Sequence, residues 1–331
     1  MSGHHANISV FVPHVGCPNM CSFCDQRYIT GVKTVPGSDE VINAVICAKK
    51  SKNYDPKNTE IAFFGGSFTA INRNYMISLL ETAYSFVKSG DVCGIRISTR
   101  PDAIDDKILK LLKSYGVTSI ELGAQSMDDG VLFMNNRGHT RQDVINASRL
   151  IKQYGFSLGL QMMTGLYMDT DEKTIFTAKE IVELKPETVR IYPTIVLKGT
   201  TLAAFYADGY YKPQTVDEAV NICVKLLEIF KKADIKVIRL GLHSIEKKAY
   251  VAGPWHPAFS ELCFSKMFLD RALGMLTEKG VYNLYVAPLS VSKMVGQKRN
   301  NLNKLKNMGF ECKVIPDSKL EIDEIIAERS E

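Results

Sequence analysis

Three cysteines, Cys17, Cys21 and Cys24, crowd into one loop, Cys17-Pro-Asn-Met-Cys21-Ser-Phe-Cys24, directly after a short β-rich stretch, Asn7–Val12. Thiolates spaced this closely can take three corners of a cubane iron–sulfur cluster. Cys47 falls in a stretch of helical spacing, and Cys93, Cys223, Cys263 and Cys312 are scattered and read as buried apolar cysteines. A cluster with three protein ligands keeps one iron open to a small molecule, and that opening is the chemistry the spacing suggests. Three other readings compete. A zinc site usually pairs two Cys or His knuckles, and no second knuckle follows. A ferredoxin-like carrier needs four ligands and is rarely this long. The cysteines can also be coincidental.

The elements that must hold this loop alternate strand and helix. Thr59–Phe64 is a short apolar strand ending in Gly65-Gly66-Ser67, and Gly94–Ser98, Thr118–Leu122, Ser157–Met162 and Thr188–Tyr192 are further strands. Between them, Ser38–Lys52, Asn72–Lys88, Ala103–Tyr115, Arg141–Tyr154 and Glu172–Leu184 carry apolar residues at helical spacing. Six strand–helix units in series predict an α/β fold, a partial parallel (β/α)6 barrel with right-handed crossovers. Past Pro193 the pattern loosens. Val216–Lys232 and Phe259–Lys279 read as helices, Lys236–Leu240 as a strand, and Val281–Ala287, Lys298–Met308 and Glu311–Ile315 as strand, helix, strand. The expected division is a barrel core at 1–193 and a C-terminal α/β extension at 194–331, which completes the substrate side and supplies a possible homodimer interface.

The ordered segments resemble those of radical S-adenosylmethionine (SAM) enzymes. The cysteine loop follows the first strand, Gly65-Gly66-Ser67 the second and Ser98-Thr-Arg-Pro-Asp102 the third; Glu121-Leu-Gly-Ala-Gln125-Ser126 and Arg137-Gly-His-Thr140 are similar to the next segments. The chain is most similar to the radical SAM half of the Elongator catalytic subunit and, more distantly, to oxygen-independent coproporphyrinogen oxidase. The resemblance runs from about Asn7 to Tyr192. It implies a 4Fe-4S cluster on Cys17, Cys21 and Cys24 as catalytic and metal-binding residues, with SAM on the open iron. Phe23 is the aromatic usually found before the third cysteine. Gly65 and Gly66 let the backbone meet the SAM amino group, where a plain tight turn is the bland alternative. Ser67 and Ser98 stand where many relatives carry acidic residues. Gln125 and Gln161 are cofactor candidates that could equally be satisfied core amides. Arg137 is placed to pair with the SAM carboxylate through a bidentate contact.

The substrate side is less marked. His14, Asp25, Arg190, Tyr192, Arg239, Trp255, His256 and Glu261 are polar or aromatic residues that can line it, each with packing or surface pairing as the alternative. Methylthiotransferases need a second cysteine set, which the scattered cysteines do not form. Among stand-alone members, the queuine lyases come closest in size and segment wording. That resemblance implies a small-molecule substrate, with C–N cleavage releasing a 7-deazaguanine base. The alternatives are a tRNA-modifying radical SAM enzyme, to which Lys293, Lys298, Arg299, Lys304 and Lys306 would give a basic face, and a non-catalytic iron–sulfur protein. A reductant such as flavodoxin or ferredoxin is implied as partner; a membrane is not.

The composition fits an enzyme of this kind. The 331 residues are 45% apolar and 23% charged, with a net charge of +5 that does not by itself argue for nucleic acid. No apolar run approaches the roughly 20 residues needed to span a bilayer. The N-terminal residues lack a basic-then-apolar leader pattern, and three clustered cysteines suit a reducing compartment, so the expected location is cytoplasmic.

Overall fold

The computed structural model describes residues 5–13, 20–24, 35–242 and 247–330. The chain forms two compact units, Met1–Gln214 with Ile229–Pro254, and Thr215–Glu228 with Trp255–Glu331. In the first, strands β1 (Ala6–Val12), β2 (Thr59–Gly65), β3 (Gly94–Thr99), β4 (Val117–Gln125), β5 (Ser157–Thr164), β6 (Thr188–Pro193) and β7 (Lys236–Leu240) make one curled parallel sheet, in the order β1-β2-β3-β4-β5-β6-β7. Every neighbouring pair is parallel, so all seven strands end on the same side. The sheet thus continues past the expected boundary at 193, because Lys236–Leu240 pairs along β6.

Near-continuous apolar runs such as Ile61–Phe63 are buried, as strands covered on both faces require. Several of the helices that cover them start on short polar caps. The Asn72 side chain accepts from the Asn74 and Tyr75 amides ahead of Arg73–Lys88, Asp105 caps Asp106–Ser114, and Thr140 and Asp143 form a capping box on Arg141–Gln153. The predicted helix start at Ala103 moves to Asp106 because Pro101–Ala103 turns as a short 3-10 segment before the Asp105 cap.

The inner face of the sheet carries a row of buried charges. Arg96 on β3 donates from Nε to Glu60 on β2 at 2.9 Å and from Nη1 to Glu121 on β4 at 3.3 Å. Arg190 on β6 grips the same Glu121 oxygen from Nε at 3.0 Å and Nη2 at 2.9 Å. Gly159 on β5 makes room between them, since a Cβ there would lie 2.9 Å from Cγ of Glu121. Burial alone would push the Glu60 carboxyl up. Arg96 and the Thr118 and Ser119 hydroxyls outweigh it and hold Glu60 below the ordinary carboxylate range.

The second unit holds a three-stranded sheet, β9 (Phe310–Pro316), β8 (Gly280–Val286) and β10 (Ile325–Arg329), with the helices Phe259–Met275, Val291–Val295 and Asn300–Asn307. The predicted helix from Lys298 begins at Asn300, because Lys298 and Arg299 both adopt left-handed backbone. The predicted helix to Lys279 stops at Met275, where Leu276 turns extended. No helix among the described residues is long and apolar enough to cross a membrane.

Removing Arg96 leaves the buried Glu60 carboxylate without its guanidinium, while Glu121 keeps Arg190. Arg96→Met should therefore lower folding stability by about 3–5 kcal/mol. Denaturant unfolding of the apoprotein checks this, and a loss below about 1 kcal/mol would contradict the shared-cation account.

Candidate active site

At the C-terminal strand ends of the first unit lies a cavity of about 620 Å³, within the range of small-molecule sites. Cys21 and Cys24 stand on its wall with Phe23 between them, and the Cys24 amide donates to the Cys21 carbonyl at 3.1 Å to close the turn. Cys17, His14 and Asp25 lie outside the described residues.

The described part of the loop is clamped from the segment after β4. The Ser22 amide donates to the Asn135 carbonyl at 3.1 Å, its hydroxyl to Asn135 Oδ1 at 2.8 Å, and Asn136 Nδ2 to the Met20 carbonyl at 2.9 Å. Asn135 is fully buried and spends Nδ2 on the carbonyls of Val131 and Tyr167. On the other side the Leu202 amide donates to the Ser22 carbonyl at 2.7 Å. Phe23 packs against Val131, Met163 and Leu166 and also against Val196, Leu202 and Tyr211. Its ring thus anchors the loop to the barrel.

The β2 end supplies a stretch of backbone to the same cavity. Gly65 has φ +114°, and a Cβ there would lie 2.4 Å from the Val12 carbonyl oxygen, so no other residue fits without moving β1. Gly66, Ser67 and Ser98 line the same cavity. At the β4 end the ladder shifts register between Gly123 and Gln125, and Gln125 sits buried at φ +66°. Strained non-glycine backbone of this kind persists where surroundings over-determine it, and gathers at functional sites. Gln161 Nε2 holds Gln125 by donating a hydrogen bond to its Oε1 at 3.1 Å.

Arg137 is buried beside the same cavity. It donates from Nη2 to the Gly123 carbonyl at 2.7 Å and from Nη1 to Sγ of Cys21 at 3.1 Å, while its buried Nε has no partner among the described residues. Arg100 steadies it by donating to its carbonyl at 2.6 Å. Arg190, Tyr192 and Glu121 complete the floor. Burial works against the Arg190 charge, but Glu121 and Tyr192 outweigh it and raise its pKa.

The remaining described substrate candidates are not among the residues that line this cavity. Arg239 is not among the cavity residues; its Nε donates to the Gly241 carbonyl at 3.1 Å beside the last strand. Trp255, His256 and Glu261 belong to the second unit. There His256 Nδ1 accepts from the Ala258 amide, and Glu261 lies in the first turn of Phe259–Met275. Glu121, Arg100 and Asn135 were not singled out in the sequence. Alternating Arg and Glu on otherwise apolar strands was a usable signal for Glu121, whereas nothing local marked Asn135.

The residues present fit an iron–sulfur cluster and SAM. Two soft thiols adjoin a glycine backbone that a Cβ would fill, and a buried guanidinium keeps an N–H to give. Fold and site together define an enzyme built on a partial parallel barrel, with thiolate ligands and a cofactor cavity at the strand ends. The chain belongs to the radical SAM superfamily, whose family model matches residues 11–181; the Radical_SAM C-terminal domain model matches residues 186–268. Its cofactors are a 4Fe-4S cluster and SAM.

Among curated relatives, the tRNA uridine(34) acetyltransferase of Methanocaldococcus jannaschii is 31% identical over 183 residues, covering 49% of this chain and 34% of the relative. Elongator complex protein 3 of Dictyostelium discoideum is 28% identical over 238 residues, covering 66% and 42%. The chain therefore spans well under two thirds of these relatives. Among solved structures, the archaeal Methanocaldococcus infernus Elp3 with an N-terminal deletion superposes with TM-score 0.68 at 21% identity, covering 88% of this chain and 68% of that one. This last likeness shows the shared fold, and the sequence resemblance to the Elongator radical SAM half is borne out.

Two outcomes follow for the site. Gly65→Ala should cut SAM affinity at least tenfold, because its Cβ must displace the Val12 carbonyl; equilibrium dialysis with the reconstituted protein measures this. His139, buried beside Arg137 with Nε2 on the Ala124 carbonyl at 3.2 Å, has its pKa lowered to about 4 by burial and then by the Arg137 charge. A neutral buried His loses its stabilising advantage as pH falls from the unfolded value near 6.5 toward 4, by up to about 1.4 kcal/mol per unit. Urea midpoints of the apoprotein should fall more steeply between pH 6.5 and 5 than those of His139→Asn. Parallel curves would contradict this reading.

Proposed function

We propose that Cys17, Cys21 and Cys24 hold the cluster, that Gly65, Gly66 and Arg137 seat SAM beside it, and that the substrate is a nucleoside of tRNA. When bound and reduced, these cofactors supply a 5′-deoxyadenosyl radical that removes hydrogen from the substrate. The chain's own residues bind, orient and exclude water. The Ser22–Asn135 clamp and the Phe23 wedge fix the thiols, and the β2 backbone turn receives the amino end of SAM. Arg137 Nε, buried and without a partner among the described residues, is the donor left to meet its carboxylate. Gln125 and Gln161 offer amides to the adenosyl side. Glu121, Arg190 and Tyr192 form the polar floor that the reacting nucleoside meets.

The observation that carries the enzyme reading is convergence. Thiols, glycine backbone and the Arg137 guanidinium come from distant sequence segments and meet in one cavity. The tRNA substrate rests on the relatives, which are tRNA uridine(34) acetyltransferases and Elongator proteins by name. Queuine cleavage, the first expectation from the sequence, gains no support from those relatives, so the tRNA alternative is the reading we carry forward. A flavodoxin or ferredoxin would deliver the electron.

The test is an anaerobic assay of reconstituted protein with dithionite and SAM, reading 5′-deoxyadenosine. Unmodified tRNA transcript should raise its yield several-fold over SAM alone, and free queuine should not. Consumption of queuine without an effect of tRNA would overturn the substrate, and absence of 5′-deoxyadenosine throughout would overturn the reaction. Cys21→Ala should lose the cluster's visible absorption as well as the product.

A further inference from the structure

The positive charge of the chain is not spread evenly. Between Lys279 and Phe310 stand Lys279, Lys293, Lys298, Arg299, Lys304 and Lys306 with no Asp or Glu, which exceeds the +5 of the whole molecule. This stretch belongs to the second unit. Its helix Asn300–Asn307 turns Leu302 and Leu305 inward. Buried Asn301 locks the helix by donating to the Ser265 carbonyl at 2.8 Å and the Met294 carbonyl at 3.1 Å. The outward residues are Asn300, Asn303, Lys304, Lys306 and Asn307, preceded by exposed Lys298 and Arg299.

Helix stability explains only part of this. Lys304 and Lys306 lie in the last turn, where cations favour the helix dipole. Lys298 and Arg299 lie at the opposite end, where the dipole disfavours them. They also occupy consecutive left-handed positions, φ 49° and 62°, that an L side chain resists. Among the described residues none of Lys298, Arg299, Lys304 and Lys306 has an ion-pair partner. Four solvent-facing cations interleaved with amide side chains, free of carboxylates, have the chemistry that phosphate backbones recruit.

We infer that this face is where the sugar–phosphate backbone of the tRNA substrate docks; the inference rests on the tRNA reading above. The test compares the holoprotein with a variant carrying Lys298→Glu, Arg299→Glu, Lys304→Glu and Lys306→Glu, using unmodified tRNA transcript as probe. A control carries the same charge change on exposed lysines of the first unit, Lys50→Glu, Lys52→Glu, Lys107→Glu and Lys110→Glu. The first variant should bind at least tenfold more weakly at about 0.1 M salt, with a log–log salt slope shallower by about three. The control should lose less than threefold. SAM cleavage without RNA should be unchanged in both. A milder variant with Gln at the same four positions should lose affinity several-fold, and it replaces the Glu variant if that one misfolds.

If both charge-reversed proteins weaken equally, net charge and not this face is responsible, and the docking surface is overturned. Equal binding by wild type and the four-site variants overturns the surface while leaving the tRNA reading standing. No tRNA binding by wild type overturns both. Loss confined to vesicles containing 30% phosphatidylserine would assign the face to a membrane and overturn the RNA proposal.

Discussion

Two buried carboxylates and the buried guanidinium between them cannot fall back on water, and a half-buried second guanidinium joins them on the inner face of the parallel sheet, so the strands that carry them must keep register. Glu60, Arg96, Glu121 and Arg190 come from β2, β3, β4 and β6, and Arg96 and Arg190 share Glu121. A slip by one residue in any of these strands would turn a charge into the apolar outer layer. The same row lies beneath the cavity, with Glu121 and Arg190 on its floor. What fixes the register therefore also fixes the level of the site.

Above that floor the site is assembled from loops, and each loop is restrained by something distant in sequence. The thiol turn is held by Asn135 and Asn136, the β2 turn by Val12, and Arg137 by Arg100 and Gly123. Most of these restraints end on a backbone carbonyl, which side-chain amides, guanidiniums and backbone N–H groups can all reach. A soft-ligand site needs thiols that do not wander, and this arrangement gives the described pair few ways to do so. The interaction of Arg137 with Cys21 links the cluster wall to the cofactor wall through one side chain.

Much of this was legible in the sequence. The strands and helices of the first unit lie within a few residues of where apolar periodicity put them, because buried parallel strands and amphipathic helices write their environment into their spacing. Phe23, Gly65, Gly66, Ser67, Ser98, Gln125, Arg137, Gln161, Arg190 and Tyr192 do line one cavity with Cys21 and Cys24. Arg239 is not among the cavity residues, and a strand-end Arg reads the same in sequence whether it faces a cavity or bonds its own turn. Trp255, His256 and Glu261 looked functional for being polar in a Pro/Gly-rich segment, yet a histidine that accepts from an amide two residues on is equally a local cap. The short helix Asp129–Met134 and the pair Val196–Leu197 with Tyr250–Ala252 were unreadable, being too brief to show a period. Asn135 was invisible for a different reason: its role exists only once the chain brings Ser22 to it.

The central claim is that the cavity presents one cluster with an iron open to SAM. The most direct measurement is the electron paramagnetic resonance of the dithionite-reduced, reconstituted protein before and after SAM is added. A site with an open iron predicts a reduced 4Fe-4S signal whose g values and line shape change on saturation with SAM. A reduced cluster whose spectrum is indifferent to SAM would contradict it.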